Sequence, residues 1–171
     1  DNLQSLPIGL IGISFAITSF ATLSELAGEE DAGKFAAEIG RVMSKILFLI
    51  IPASVGLWVL RREVVDVILV SGKFNAQDAA LTAGVLGILT FSLFAQSLIP
   101  VLSRGFYAYH NTKTPLLAGL AAEVLSLGGS GWLALGMGYG VMGIAAAWSA
   151  GNVLNVVLLI ALMRRHLGLS I

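Results

Sequence analysis

The chain has 171 residues, ten basic and ten acidic, with a formal net charge of zero and no cysteine. Residues of the AVILMFWYC set make up 57% and charged residues only 12%, with a mean hydropathy of +0.90, whereas an ordinary globular domain is about 25% charged. This balance excludes a soluble fold, because a domain of this size leaves much of its surface in water; the missing cysteines exclude disulfides and thiolate metal sites, and zero net charge provides no field for nucleic acid.

The expected fold class is all-α, a polytopic transmembrane helix bundle. A membrane span needs about 20 mostly apolar residues, and five stretches qualify, at 3–24, 42–60, 79–103, 115–135 and 141–163. The chain opens DNLQSLPIG, without an initiator Met or a basic leader, and reads as a piece of something longer. In the first span Ser14, Thr18 and Thr22 form a polar stripe. Before the second span, Phe35, Ile39, Val42, Met43 and Ile46 fall at helical spacing opposite Lys34, Glu38, Arg41 and Lys45. That pattern predicts an interfacial amphipathic helix near 33–45 that feeds directly into the span.

After the second span, EVVDVILVSGKFNAQDA reads as a short apolar segment stopped at Gly72, with a new helix capped near Asn75 or Asp78. Ser92, Gln96 and Ser103 form a polar stripe on the third span, and Pro100 predicts a kink there. The run SRGFYAYHNTKTP (103–115) follows, with Thr114 as the expected N-cap of the next helix and Pro115 at its first position. Glu123, Ser126 and Ser130 lie on one face of the fourth span. A carboxylate inside a span costs about 2.5–3.5 kcal/mol and marks a functional candidate, for a proton relay, a cation contact or a hydrogen bond to a neighbouring helix. The stretch GMGYGVMG (136–143) reads as a tight turn. Beyond it, Gly143, Ala147 and Gly151 form a close-packing face, and Asn152 and Asn155 a polar one.

Seven of the ten lysines and arginines (Lys34, Arg41, Lys45, Arg104, Lys113, Arg164, Arg165) share one side of this topology. The positive-inside rule makes that side cytoplasmic, with the start of the chain outward and its end cytoplasmic. Arg104 can grip phosphate with its fork of donors. Tyr107 and Tyr109 suit the interface. No nucleophile, metal set or acid–base pair stands out, so no enzyme activity, cofactor or metal is expected.

Three segments, LPIGLIGISFAITSFATLSELA (6–27), SGKFNAQDAALTAGVL (71–86) and SRGFYAYHNTKTPL (103–116), resemble the MviN/MurJ family of lipid II flippases. That family belongs to the multidrug/oligosaccharidyl-lipid/polysaccharide exporter superfamily. The third segment carries its Ser-Arg-x-Phe-Tyr-Ala…Thr-x-Thr-Pro signature, and the matching positions in the first two are Pro7, Gly9, Gly72, Phe74 and Asp78. The closing GIAAAWSAGNVLNVVLLIALMRRHLG fits the corresponding helix and its basic end.

The resemblance implies the front of the second lobe of a fourteen-helix transporter, roughly helices eight to twelve, in a bacterial cytoplasmic membrane. It implies an undecaprenyl-linked peptidoglycan precursor as substrate, moved by alternating access against a first lobe, with membrane lipids around it. It makes Asp1, Asn2, Gln96, Arg104, Tyr107 and Glu123 candidates for the transport pathway. The family's Asp-Arg pair is Asp1–Asn2 here, so the cation is missing at position 2. Ser126, Ser130 and Trp148 stand where other members hold sodium ligands, so no sodium site is carried over, and Glu123 is the candidate to take a proton instead. The alternatives are a drug or polysaccharide exporter of the same superfamily and a non-transporting membrane scaffold.

Overall fold

The computed structural model describes residues 8–28, 31–69 and 76–167. Among them every regular element is helical. Helix α1 (Ile8–Gly28) opens with a π-helical segment, Ile8–Ile13, and continues as α-helix. Then follow α2 (Ala32–Val59), α3 (Arg61–Leu69), α4 (Ala76–Thr90), α5 (Leu93–Ala108), α6 (Lys113–Gly131, prolonged by a π-helical segment Trp132–Gly136) and α7 (Gly140–Leu167). Four helices are long and apolar enough to cross a membrane, and the bent pair α4–α5 makes up to five. The expected spans therefore recur in order.

The stretch near 33–45 is not a separate element. Asp31 caps α2 by accepting the Lys34 backbone N–H at 3.0 Å, and the helix then runs unbroken into the span. Its apolar face, Phe35, Ile39, Val42, Ile46 and Ile50, is buried rather than laid against lipid headgroups. The first four join one core with Leu23 of α1, Leu98 and Leu102 of α5, and Leu159 and Met163 of α7. The amphipathic pattern arises because one helix face meets the bundle from end to end, while Lys45 stays exposed. A smaller core joins α3 to α4 through Val65, Ala79, Ala83 and Leu86.

The marked bend of this span lies before Pro100. Helix α5 runs through Pro100, and the 43° bend falls between Thr90 and Leu93. There the Phe91 and Ser92 N–H groups bond three residues back, to the carbonyls of Ile88 (3.2 Å) and Leu89 (3.1 Å). Hydroxyls reinforce that tight turn: Thr90 Oγ1 donates to the Gly87 carbonyl at 2.6 Å and Ser92 Oγ to that of Leu89 at 2.9 Å.

Helices α6 and α7 are joined through Gly138 and Gly140, at φ +74° and +54°, which is the tight glycine turn expected at 136–143. Their contact uses the small face of α7: a Cβ on Gly143 would lie 2.9 Å from the Leu133 carbonyl carbon, and one on Gly151 2.8 Å from Ser126 Cβ. Close approach of this kind gains dispersion contacts where lipid offers no hydrophobic drive between helices.

Candidate functional site

Two places collect the sequence candidates. The first is the corner between α5 and α6. Arg104 lies half-buried in the last turns of α5, and Tyr107, 42% exposed, stands one turn beyond. Tyr109 turns inward and meets Phe35 of α2 edge-on at 4.8 Å. His110 adopts a positive φ of 54°, with its N–H on the Tyr107 carbonyl at 2.9 Å. The chain can then reverse, and Asn111 caps the next helix: its Oδ1 accepts the Thr114 N–H at 3.1 Å and its Nδ2 donates to Thr114 Oγ1 at 2.9 Å. The capping side chain is thus that of Asn111 rather than Thr114, while Thr112 holds the N-cap position and α6 begins at Lys113. Pro115 is buried in the first turn, where its missing N–H is not needed.

The second place is a groove of about 460 Å³ between α4, α6 and α7. Glu123 lies on its α6 wall, with Ser126 and Ser130 below and Trp148 of α7 opposite. Ser130 Oγ is committed to the Ser126 carbonyl at 2.7 Å. Glu123 is exposed and has no hydrogen-bond or ion-pair partner among the described residues. Its position, roughly 15 Å along α6 from Lys113 at 1.5 Å per residue, is about halfway across a hydrocarbon core. A second cavity of about 600 Å³, which holds Asp78, Thr82 and Tyr139, shares Val85 and Val141 with this groove. Asp78 also occupies the first turn of α4, where a carboxylate suits the helix dipole.

The remaining candidates serve other ends or lie outside the described residues. Gln96 is half-buried and donates from Nε2 to Ser92 Oγ at 2.8 Å, which ties it to the α4–α5 bend. Gly9 meets nothing where a Cβ would stand; the tightly packed glycine of α1 is Gly12, whose Cβ would lie 2.9 Å from the Ser97 backbone. Asp1, Asn2, Pro7, Gly72 and Phe74 lie outside the described residues. Sequence reading also passed over Trp58, Arg61 and Phe91, which come together from α2, α3 and the α4–α5 bend. Their one local signal is an aromatic three residues before an arginine at a span end.

A bundle of long apolar helices with a basic, aromatic corner and a mid-span carboxylate defines a polytopic membrane protein. Comparison with known proteins makes this specific. The chain belongs to the lipid II flippase MurJ family, whose model matches residues 1–171. A probable lipid II flippase MurJ of Bdellovibrio bacteriovorus is 32% identical over 166 residues, covering 97% of this chain and 31% of the relative. The corresponding protein of Thermotoga maritima is 30% identical, covering 96% and 33%. A solved structure, "Lipid II flippase MurJ, inward closed conformation", superposes with a TM-score of 0.81 at 26% identity, over 93% of this chain and 33% of that one. The chain thus spans about a third of the length of the relatives it matches.

Proposed function

We propose that this chain forms part of a flippase that carries lipid II, the undecaprenyl-linked peptidoglycan precursor, across the bacterial cytoplasmic membrane by alternating access. In this reading it contributes the front of the second lobe of a fourteen-helix transporter and works against a first lobe of the same protein. The observation that carries the reading is the superposition of nearly the whole chain on an inward closed MurJ structure. The uneven distribution of basic residues supports an orientation with the Arg104 corner in the cytoplasm and the Arg61 end outside.

Within that cycle Arg104 and Tyr107 take the headgroup side of the inward gate. A half-buried guanidinium at the end of α5 offers a rigid fork to pyrophosphate oxygens. The unpaired Glu123 carboxylate takes up a proton in the groove, which removes its charge at membrane depth during part of the cycle. Asp1 and Asn2 remain pathway candidates by family resemblance. These roles need neither a cofactor nor a covalent step. The test is rescue of a bacterium depleted of its own lipid II flippase by the full-length gene. Wild type should restore growth and rod shape, Arg104→Gln should rescue poorly, and Glu123→Gln should rescue with an altered dependence on external pH. Failure of the wild-type gene, expressed and in the membrane, would overturn the reading.

A further inference from the structure

The transport reading leaves unused an ordered cation at the other end of α2. The Arg61 guanidinium donates to the Trp58 carbonyl and lies over the Trp58 ring, 4.7 Å from its centroid. Its stem rests on α4 at Gly87, where a Cβ would come within 3.0 Å of Arg61 Cδ. Trp58 in turn meets Phe91, at the α4–α5 bend, edge-on at 6.4 Å. The cation is therefore held in place before any ligand arrives, which lowers the ordering cost of binding. Below it opens a narrow cavity of about 230 Å³ lined by Ser54, Val55, Trp58, Thr90 and Phe91. The Thr90 hydroxyl is already committed to Gly87, whereas Ser54 Oγ is buried and has no partner among the described residues.

Depth says what this notch meets. Arg41 lies about 27 Å along α2 from its last residue, Val59, at 1.5 Å per residue, close to the hydrocarbon thickness of about 30 Å, and Arg61 opens α3 just beyond that end. Arg61 and the neighbouring exposed Arg62 therefore stand at headgroup level, and the slot lies just inside the hydrocarbon. Neither arginine is ion-paired among the described residues. An apolar protein helix laid over the slot would leave these two cations without neutralisation, at a desolvation cost. A phosphate would neutralise it with charge-assisted hydrogen bonds.

We propose that this notch binds one diacyl phospholipid of the leaflet at the Arg61 end. The phosphate lies on the free donors of Arg61, and one acyl chain fills the slot against Trp58 and Phe91. This lipid is a resident of the transporter's surface and not its cargo.

The test uses the full-length protein in vesicles of phosphatidylethanolamine and radiolabelled phosphatidylglycerol. A photoreactive benzoylphenylalanine replaces Val55 in the slot or, as a control, Phe48, an exposed residue of the same helix. Position 55 should capture several-fold more labelled lipid than position 48, and Arg61→Gln should bring it down to the control level. Gly87→Ala keeps every charge but shifts the Arg61 stem, so it should lower capture too and serves if Arg61→Gln does not fold. Equal capture at the two positions, capture indifferent to both variants, or crosslinking of position 55 to another segment of the protein would overturn the proposal.

Discussion

On α1, Ser14, Thr18 and Thr22 point away from the other described helices, whereas Ser92 is fully buried and Gln96 half-buried at the junction of α4 and α5. Both stripes read alike in the sequence, as hydroxyls and amides at helical spacing inside an apolar run. On α1 the hydroxyls back-bond within an intact helix: Thr18 Oγ1 donates to the Ser14 carbonyl at 3.0 Å and to that of Phe15 at 3.2 Å. At the junction similar back-bonds fall on a turn whose N–H groups have already shifted to three-residue bonds, and there they accompany a 43° bend. A hydroxyl in a span thus takes its meaning from the backbone beside it. Polarity alone marks neither a cavity nor a hinge.

Substitutions can break or sharpen that contrast. The largest effect is expected where α1 meets α5. Gly12→Val should cost about 1–3 kcal/mol by overpacking against the Ser97 backbone, measured by reversible unfolding in mixed micelles. Ser92→Ala comes next. It removes both the bond to Leu89 and the acceptor of the Gln96 amide, and should cost about 0.6–1.7 kcal/mol, from the average to the largest value measured for side-chain hydrogen bonds between membrane helices. The same variant should change the distance between spin labels on α4 and α5, because the bend loses a support. Thr18→Ala should stay within about 0.5 kcal/mol, as surface substitutions do. A cost on α1 equal to that of Ser92→Ala would erase the contrast.

The smallest effect concerns the cap of α2. The Lys34 backbone N–H, followed by its ammonium, holds the Asp31 carboxyl below its ordinary pKa. A carboxyl lowered in the folded state contributes stability above its unfolded pKa and loses it as pH falls through the folded value. The small stability gap between wild type and Asp31→Asn should therefore be present at neutral pH and vanish in acid, as thermal melts at stepped pH would show.

The fold was legible where the signal is local and repeated. Apolar run length marks the crossings, the Gly143–Ala147–Gly151 spacing marks the α6–α7 contact, and paired glycines mark the turn between them. What escaped depends on contacts between distant parts of the chain. Pro100 drew attention from the Thr90–Ser92 turn because proline is a local sign and shifted hydrogen bonds are not. The face at Phe35, Ile39 and Val42 looked interfacial because the partners that bury it lie on α1, α5 and α7. Of the candidate sites, Glu123 was visible as a charge in an apolar run, but its groove is built by α4 and α7. The Arg61 notch needs Gly87 and Phe91, far along the chain, and its one local sign is Trp58 three residues before Arg61.

Arrival of lipid II in the outer leaflet is the most direct test of the proposed transport. The full-length protein would be reconstituted in vesicles with fluorescent lipid II, and the label reachable by an impermeant quencher or enzyme followed with time. Accessible lipid II should rise beyond that in protein-free vesicles, and more slowly with Arg104→Gln. A time course identical to that of empty vesicles, with the protein folded and inserted, would contradict the transport reading.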